Sequence, residues 1–146
     1  MKTLLKVFYL LPVAVVLGVV GWMALNRGKP PPVHVMSDRP FATTPITNLT
    51  ANLFTSENHL GPAGNDVFIE FRDAGGRLVD VGDVQFELGP TGPAVVLHNV
   101  FKALRTSTPG QYRVTVRPQI VGEWQAKLIF TGPSTGAEAS FPVTVK

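Results

Sequence analysis

Two hydrophobic patterns of different period divide the chain. Val7 to Leu25 (VFYLLPVAVVLGVVGWMAL) is an unbroken apolar run without a charge, about the length that crosses a ~30 Å hydrocarbon core as a helix. From Ile46 onward apolar positions alternate with polar ones between Gly, Pro, Asn and Asp punctuation, and no stretch keeps helical spacing for three turns. The first pattern predicts one N-terminal transmembrane helix and the second an all-β domain.

Within that domain, Asn48–Phe54 reads as a first strand, and Asn65–Arg72 as a second with Val67, Ile69 and Phe71 on one face. Asp73-Ala74-Gly75-Gly76 supplies the turn of a hairpin into Leu78–Val81 and Val84–Leu88. Ala94–Val100 is a further strand beyond a Gly- and Pro-rich loop. Gln111–Arg117 places Tyr112, Val114 and Val116 inward, and Gly122–Phe130 does the same for Trp124, Ala126, Leu128 and Phe130. The chain ends on Ala139–Val145, where Phe141, Val143 and Val145 alternate. About seven short strands in this length predict an immunoglobulin-like antiparallel β-sandwich.

The apolar run also resembles a signal peptide, because Lys2 and Lys6 make a basic start. It is longer than the usual ~7–15-residue signal core, and its one small-residue cleavage pattern, Val19-Val20-Gly21, lies inside the apolar stretch. An uncleaved anchor is therefore the expectation. Without a cysteine there is no lipobox, disulfide or thiolate metal site. Between anchor and strands, Pro30, Pro31, Pro32, Pro40 and Pro45 favour an extended tether. The expected organisation is a short cytoplasmic tail (1–6), a transmembrane anchor (7–25), a Pro-rich tether (26–45) and the domain (46–146). The basic residues flanking the span are nearly balanced, so orientation rests on the short tail ahead of a signal-like span, which favours an exported domain. The expected location is the inner membrane, with the domain on the periplasmic side.

The net charge of +3 loses its meaning once it is located. Four of the 13 Lys and Arg (Lys2, Lys6, Arg27, Lys29) flank the span, and the remaining nine face all 10 Asp and Glu, so the domain nets −1. Basic residues at the span suit anionic headgroups. No basic helix or aromatic-interleaved basic strip points to nucleic acid.

Gly64-Asn65 opening a strand, Asp73 with Gly76 closing it, Val79, then Pro109-Gly110-Gln111-Tyr112 and Gly122-Glu123-Trp124 resemble the YtkA-like domain family, to which FixH-type envelope proteins are related. The resemblance covers Ile46 to Lys146. It implies a small bacterial protein with an N-terminal anchor and an extracytoplasmic immunoglobulin-like sandwich, associated with envelope complexes in oxidase maturation or metal handling. Some members carry a Met-Pro-x-Met-type segment in mid-domain; here Glu87 to Pro93 holds neither Met nor His. On physical grounds Gly110 permits a sharp entry to the strand of Tyr112, whose hydroxyl is expected to bond back to the chain as a tyrosine corner, and Trp124 fills the core.

The metal candidates are His34, Met36, His59 and His98. His34 and Met36 sit two apart in an extended segment, and imidazole with thioether suits Cu(I), but two ligands do not make a site. His98 shares a strand face with Val96 and Val100, and His59 belongs to a loop tip. Asp73, Asp80 and Asp83 suggest a Ca²⁺ cluster but lack a loop signature. No nucleophile elbow or phosphate loop suggests a hydrolase. The functional expectation is a non-enzymatic accessory module of an envelope complex, with the lipid bilayer and an envelope protein as partners and no cofactor. Phe68 and Phe101 are candidate outward contacts. The alternative is a periplasmic copper-handling protein or oxidase-assembly factor using His34, Met36 and His98.

Overall fold

Period-two alternation decides which residues leave water. In Asn65–Arg72, Val67, Ile69 and Phe71 are wholly buried, in Gly122–Thr131 so are Ala126 and Leu128, and Trp124 and Phe130 are nearly so. The structure, a computed structural model, describes residues 36–91, 99–131 and 136–146. The anchor run, most of the tether, His34, His98 and residues 94–98 lie outside the described residues.

Eight antiparallel strands follow in chain order: β1 (Ala42–Ile46), β2 (Leu49–Phe54), β3 (Asn65–Arg72), β4 (Asp83–Pro90), β5 (Asn99–Arg105), β6 (Gln111–Val116), β7 (Gly122–Thr131) and β8 (Gly136–Val145). They form one sheet in the order β1-β2-β3-β6-β5-β4-β7-β8, and the described residues contain no helix. A flat sheet would put β3 and β7, four strand spacings apart, roughly 19 Å from one another. Yet the rings of Phe71 on β3 and Phe130 on β7 are 5.3 Å apart, edge to face. The sheet therefore curls around a shared core, and β1 and β8 at its two ends come into contact.

Three local expectations need correction. Ala42–Pro45 belongs to β1, not to the tether: Ala42 to Ile46 pair with Leu53 to Leu49. Leu78–Val81 is not a strand but a crossing segment, fixed at its start by a single bridge from Leu78 to Arg72. The described strand after the Pro-rich loop runs Asn99–Arg105, five residues beyond the predicted end at Val100. Its core-facing residues are Phe101 and Ala103, so Phe101 packs half-buried against the core rather than pointing outward.

The segment from β3 to β4 crosses between the two halves of the sheet and is clasped from β6. Asp73 shapes its first turn: Oδ1 accepts the N–H groups of Gly75 and Arg77, both at 2.9 Å. Further on, the Val81 N–H donates to the Tyr112 hydroxyl at 3.0 Å, and that hydroxyl donates to Asp80 Oδ1 at 2.8 Å. The tyrosine thus bonds back to the backbone as anticipated, though 31 positions away instead of within its own corner. Gly110 lets this happen. Its φ is +80°, and a Cβ there would come within 2.7 Å of the Val79 nitrogen, so only glycine admits the contact without a shift.

Candidate functional site

Three places on the described surface gather chemistry or unusual exposure. The first is the loop from β2 to β3. Thr55 Oγ1 donates to the His59 carbonyl at 2.9 Å. The Asn65 side chain donates to the Gly61 and Ala63 carbonyls, both at 2.7 Å, and accepts the Gly61 N–H at 2.8 Å. This stitched loop and the start of β3 frame an open cleft of about 340 Å³ lined by Glu57, His59, Asn65, Asp66 and Phe68, with Lys146 at its rim. His59 Nδ1 is 2.9 Å from the Glu57 carbonyl; a carbonyl only accepts, so this nitrogen carries the proton. Nε2 faces the Glu57 carboxylate at 3.5 Å. Asp66 is committed to structure, accepting from Arg113 Nη2 at 2.8 Å and Thr115 Oγ1 at 2.7 Å.

The second place is the clasp itself. Arg105 Nη2 lies 3.2 Å from Asp80 Oδ1. The Gly82 N–H, then the Tyr112 hydroxyl and the Arg105 charge, hold the Asp80 carboxyl below its ordinary range, because each stabilises the ionised form. Burial, with Asp80 next in weight, pushes the Tyr112 phenol up. Asp73 is likewise lowered, chiefly by the Arg77 N–H. Asp73 and Asp80 therefore serve turn and clasp.

The outer face of the sheet carries a buried charge. Glu70 is 5% exposed, yet both its oxygens are satisfied: Arg72 donates to Oε2 from Nε at 3.1 Å and from Nη2 at 2.6 Å, and Gln111 Nε2 donates to Oε1 at 3.1 Å. Sequence reading passed over this residue, since its i, i+2 spacing to Arg72 is an ordinary strand pattern and Gln111 is remote in sequence.

The third place is the outer side of β5, where Val100, Lys102 and Leu104 share one face. Val100 is 58% and Leu104 68% exposed, and beyond β6 Ile120 and Val121 are 65% and 60% exposed. Leu104, Ile120 and Val121 were missed as surface features. For Leu104 the signal lay in the sequence, because VFKALR read from Val100 alternates with Leu104 in phase with Val100.

Of the predicted metal residues, Met36 is half-buried in the segment leading to β1, while His34 and His98 lie outside the described residues. The described residues contain no group of three or more His, Cys, Asp or Glu arranged to hold a metal ion. Phe68 is half-buried and lines the cleft beside Asp66. Tyr112 and Trp124 are both core residues, 1% and 4% exposed, and the Trp124 indole N–H donates to the Ile120 carbonyl at 3.1 Å. No protein-family model, curated protein or solved structure matches the chain.

Proposed function

We propose that this chain is a single-pass, membrane-tethered protein whose immunoglobulin-like β-sandwich works outside the cytoplasm as a non-enzymatic accessory module of an envelope complex. The observation that carries the interaction role is the exposure of Val100, Leu104, Ile120 and Val121. Burying an aliphatic side chain of this size is worth about 1.5–3 kcal/mol, and exposed apolar side chains sharing one strand face, as Val100 and Leu104 do, favour a partner contact. The carboxylates of Asp66, Glu70, Asp73 and Asp80 are engaged in holding the fold. The sandwich is supported by the curl of the sheet, with Phe71 and Phe130 meeting across the core. The anchor is supported by the uncharged Val7–Leu25 run, and the envelope setting by the YtkA-like resemblance.

Expression in a bacterium with two membranes tests the proposal. Protease added after outer-membrane permeabilisation is expected to digest the domain while the N-terminal segment stays in the membrane fraction. Crosslinking of the intact chain is then expected to trap an envelope protein through Val100 or Leu104. Full protection in sealed spheroplasts, or a processed soluble form, overturns the anchored and exported assignment.

A further inference from the structure

We infer that the free edge of β5 is a strand-acceptor site for an extended segment of a partner protein that carries an acidic residue between two apolar ones at two-residue spacing. This gives the accessory module its contact surface and rests on that reading. The site follows from where the sheet parts. β5 pairs with β4 along Asn99–Ala103, but with β6 only at Leu104 and Arg105. The Thr106 N–H donates to the Gln111 carbonyl, so by strand alternation Leu104, Lys102 and Val100 turn their peptide groups to the β6 side. Leu104 finds Arg113 there. Lys102 and Val100 have no strand partner on that side among the described residues.

Among the described strands, the two that end the strand order differ. β1 and β8, at the ends of the strand order, contain Pro45 and Pro142, and proline blunts an edge against strand addition. β5 carries no proline. The face it presents is a repeat of apolar, basic and apolar side chains: Val100, Lys102 and Leu104, all exposed. A strand added to an open edge takes affinity from main-chain hydrogen bonds and specificity from alternate side chains. Cross-strand neighbours reward opposite charge and apolar contact. Complementarity to this row therefore selects a carboxylate opposite Lys102 with aliphatic residues two positions to either side.

The test is a fluorescence-anisotropy titration of the full chain in detergent micelles with a labelled synthetic peptide in which Thr alternates with Val, Glu and Val. Saturable binding is expected. Lys102→Glu is expected to weaken it roughly tenfold, and a peptide with Lys in place of its Glu to recover most of that loss on the variant, as cross-strand pairs of like and opposite charge dictate. Lys102 is exposed, so unchanged thermal unfolding is expected to accompany the loss. A peptide N-methylated at its Val and Glu residues, whose N–H groups face Val100, Lys102 and Leu104 in an antiparallel ladder, is expected not to bind. Absence of saturation at millimolar peptide, equal binding by Lys102→Glu, or equal binding of the N-methylated peptide each overturns the acceptor edge. The outcomes separate from those of cell fractionation: an anchored chain that ignores the peptide loses this surface alone, and a soluble chain that binds it loses the membrane assignment alone.

Discussion

Replacing Tyr112 with phenylalanine removes one oxygen and asks what the clasp is worth. The ring stays in the core, where it meets Phe71 edge to face at 5.7 Å, so packing is largely kept. Two bonds go. The Val81 N–H, in a residue 3% exposed, is left without its acceptor, and an orphaned buried donor costs about 1–3 kcal/mol. The Asp80 carboxylate loses a donor too, but it keeps the Gly82 N–H at 2.9 Å and Arg105 and is open to water. Its share is accordingly the smaller. A loss of about 2 kcal/mol lowers Tm by roughly 8 °C in a domain of this size. Urea unfolding at neutral pH measures it directly. The pH dependence then separates the two bonds. Asp80 is held below its ordinary range when folded, so its stabilisation is present above the unfolded pKa and is lost as pH falls through the folded one. Without the hydroxyl that depression shrinks, and the gap between Tyr112→Phe and the parent is expected to narrow below about pH 4. An unchanged Tm refutes the Val81 bond, and a gap of constant size down to pH 2 refutes the Asp80 bond.

Three other outcomes follow from the same packing. Gly110→Ala forces a Cβ to 2.7 Å from the Val79 nitrogen at a positive φ, so the urea midpoint is expected to fall by the equivalent of about 2 kcal/mol or more. Trp124→Ala opens a cavity in the core and is expected to cost about 3–5 kcal/mol, a large part of the ~5–15 kcal/mol total, read by thermal unfolding. Cu(I) competition against a chromogenic chelator is expected to give at best weak binding, since His34 and Met36 are two ligands in a Pro-rich segment; tight stoichiometric binding abolished by His34→Ala refutes this.

The strands that could be read from sequence are those with long, regular alternation: β3, β6 and β7 match their predicted spans within a residue, and their inward residues are the buried ones. β1 was hidden because Pro45 and the proline-rich stretch before it look like tether, and only its pairing with β2 turns it into an edge strand. β5 was misread in phase. The apolar run before Asn99 drew the predicted strand toward the N-terminus and put Phe101 outward, whereas the core takes Phe101 and Ala103 and leaves Val100 and Leu104 in water. A one-residue shift reverses every face of a strand, so the exposed row went unseen with it. The Tyr112 bonds to Asp80 and Val81 join residues 32 and 31 positions apart, and no local pattern announces them.

The strand order also sets a timetable for a chain made from its N-terminus. β1, β2 and β3 can pair as a meander within microseconds of emerging, but the other side of β3 waits for β6. Gln111, which caps Glu70, is 41 positions further on, and at ~5–20 residues per second that interval is roughly 2–8 s. Throughout it the half-made sheet shows an unpaired edge and the apolar face of Val67, Ile69 and Phe71. Until Gln111 arrives Glu70 Oε1 lacks its side-chain donor, and a charge on the opposite face of that strand disfavours wrong pairing while the edge is open.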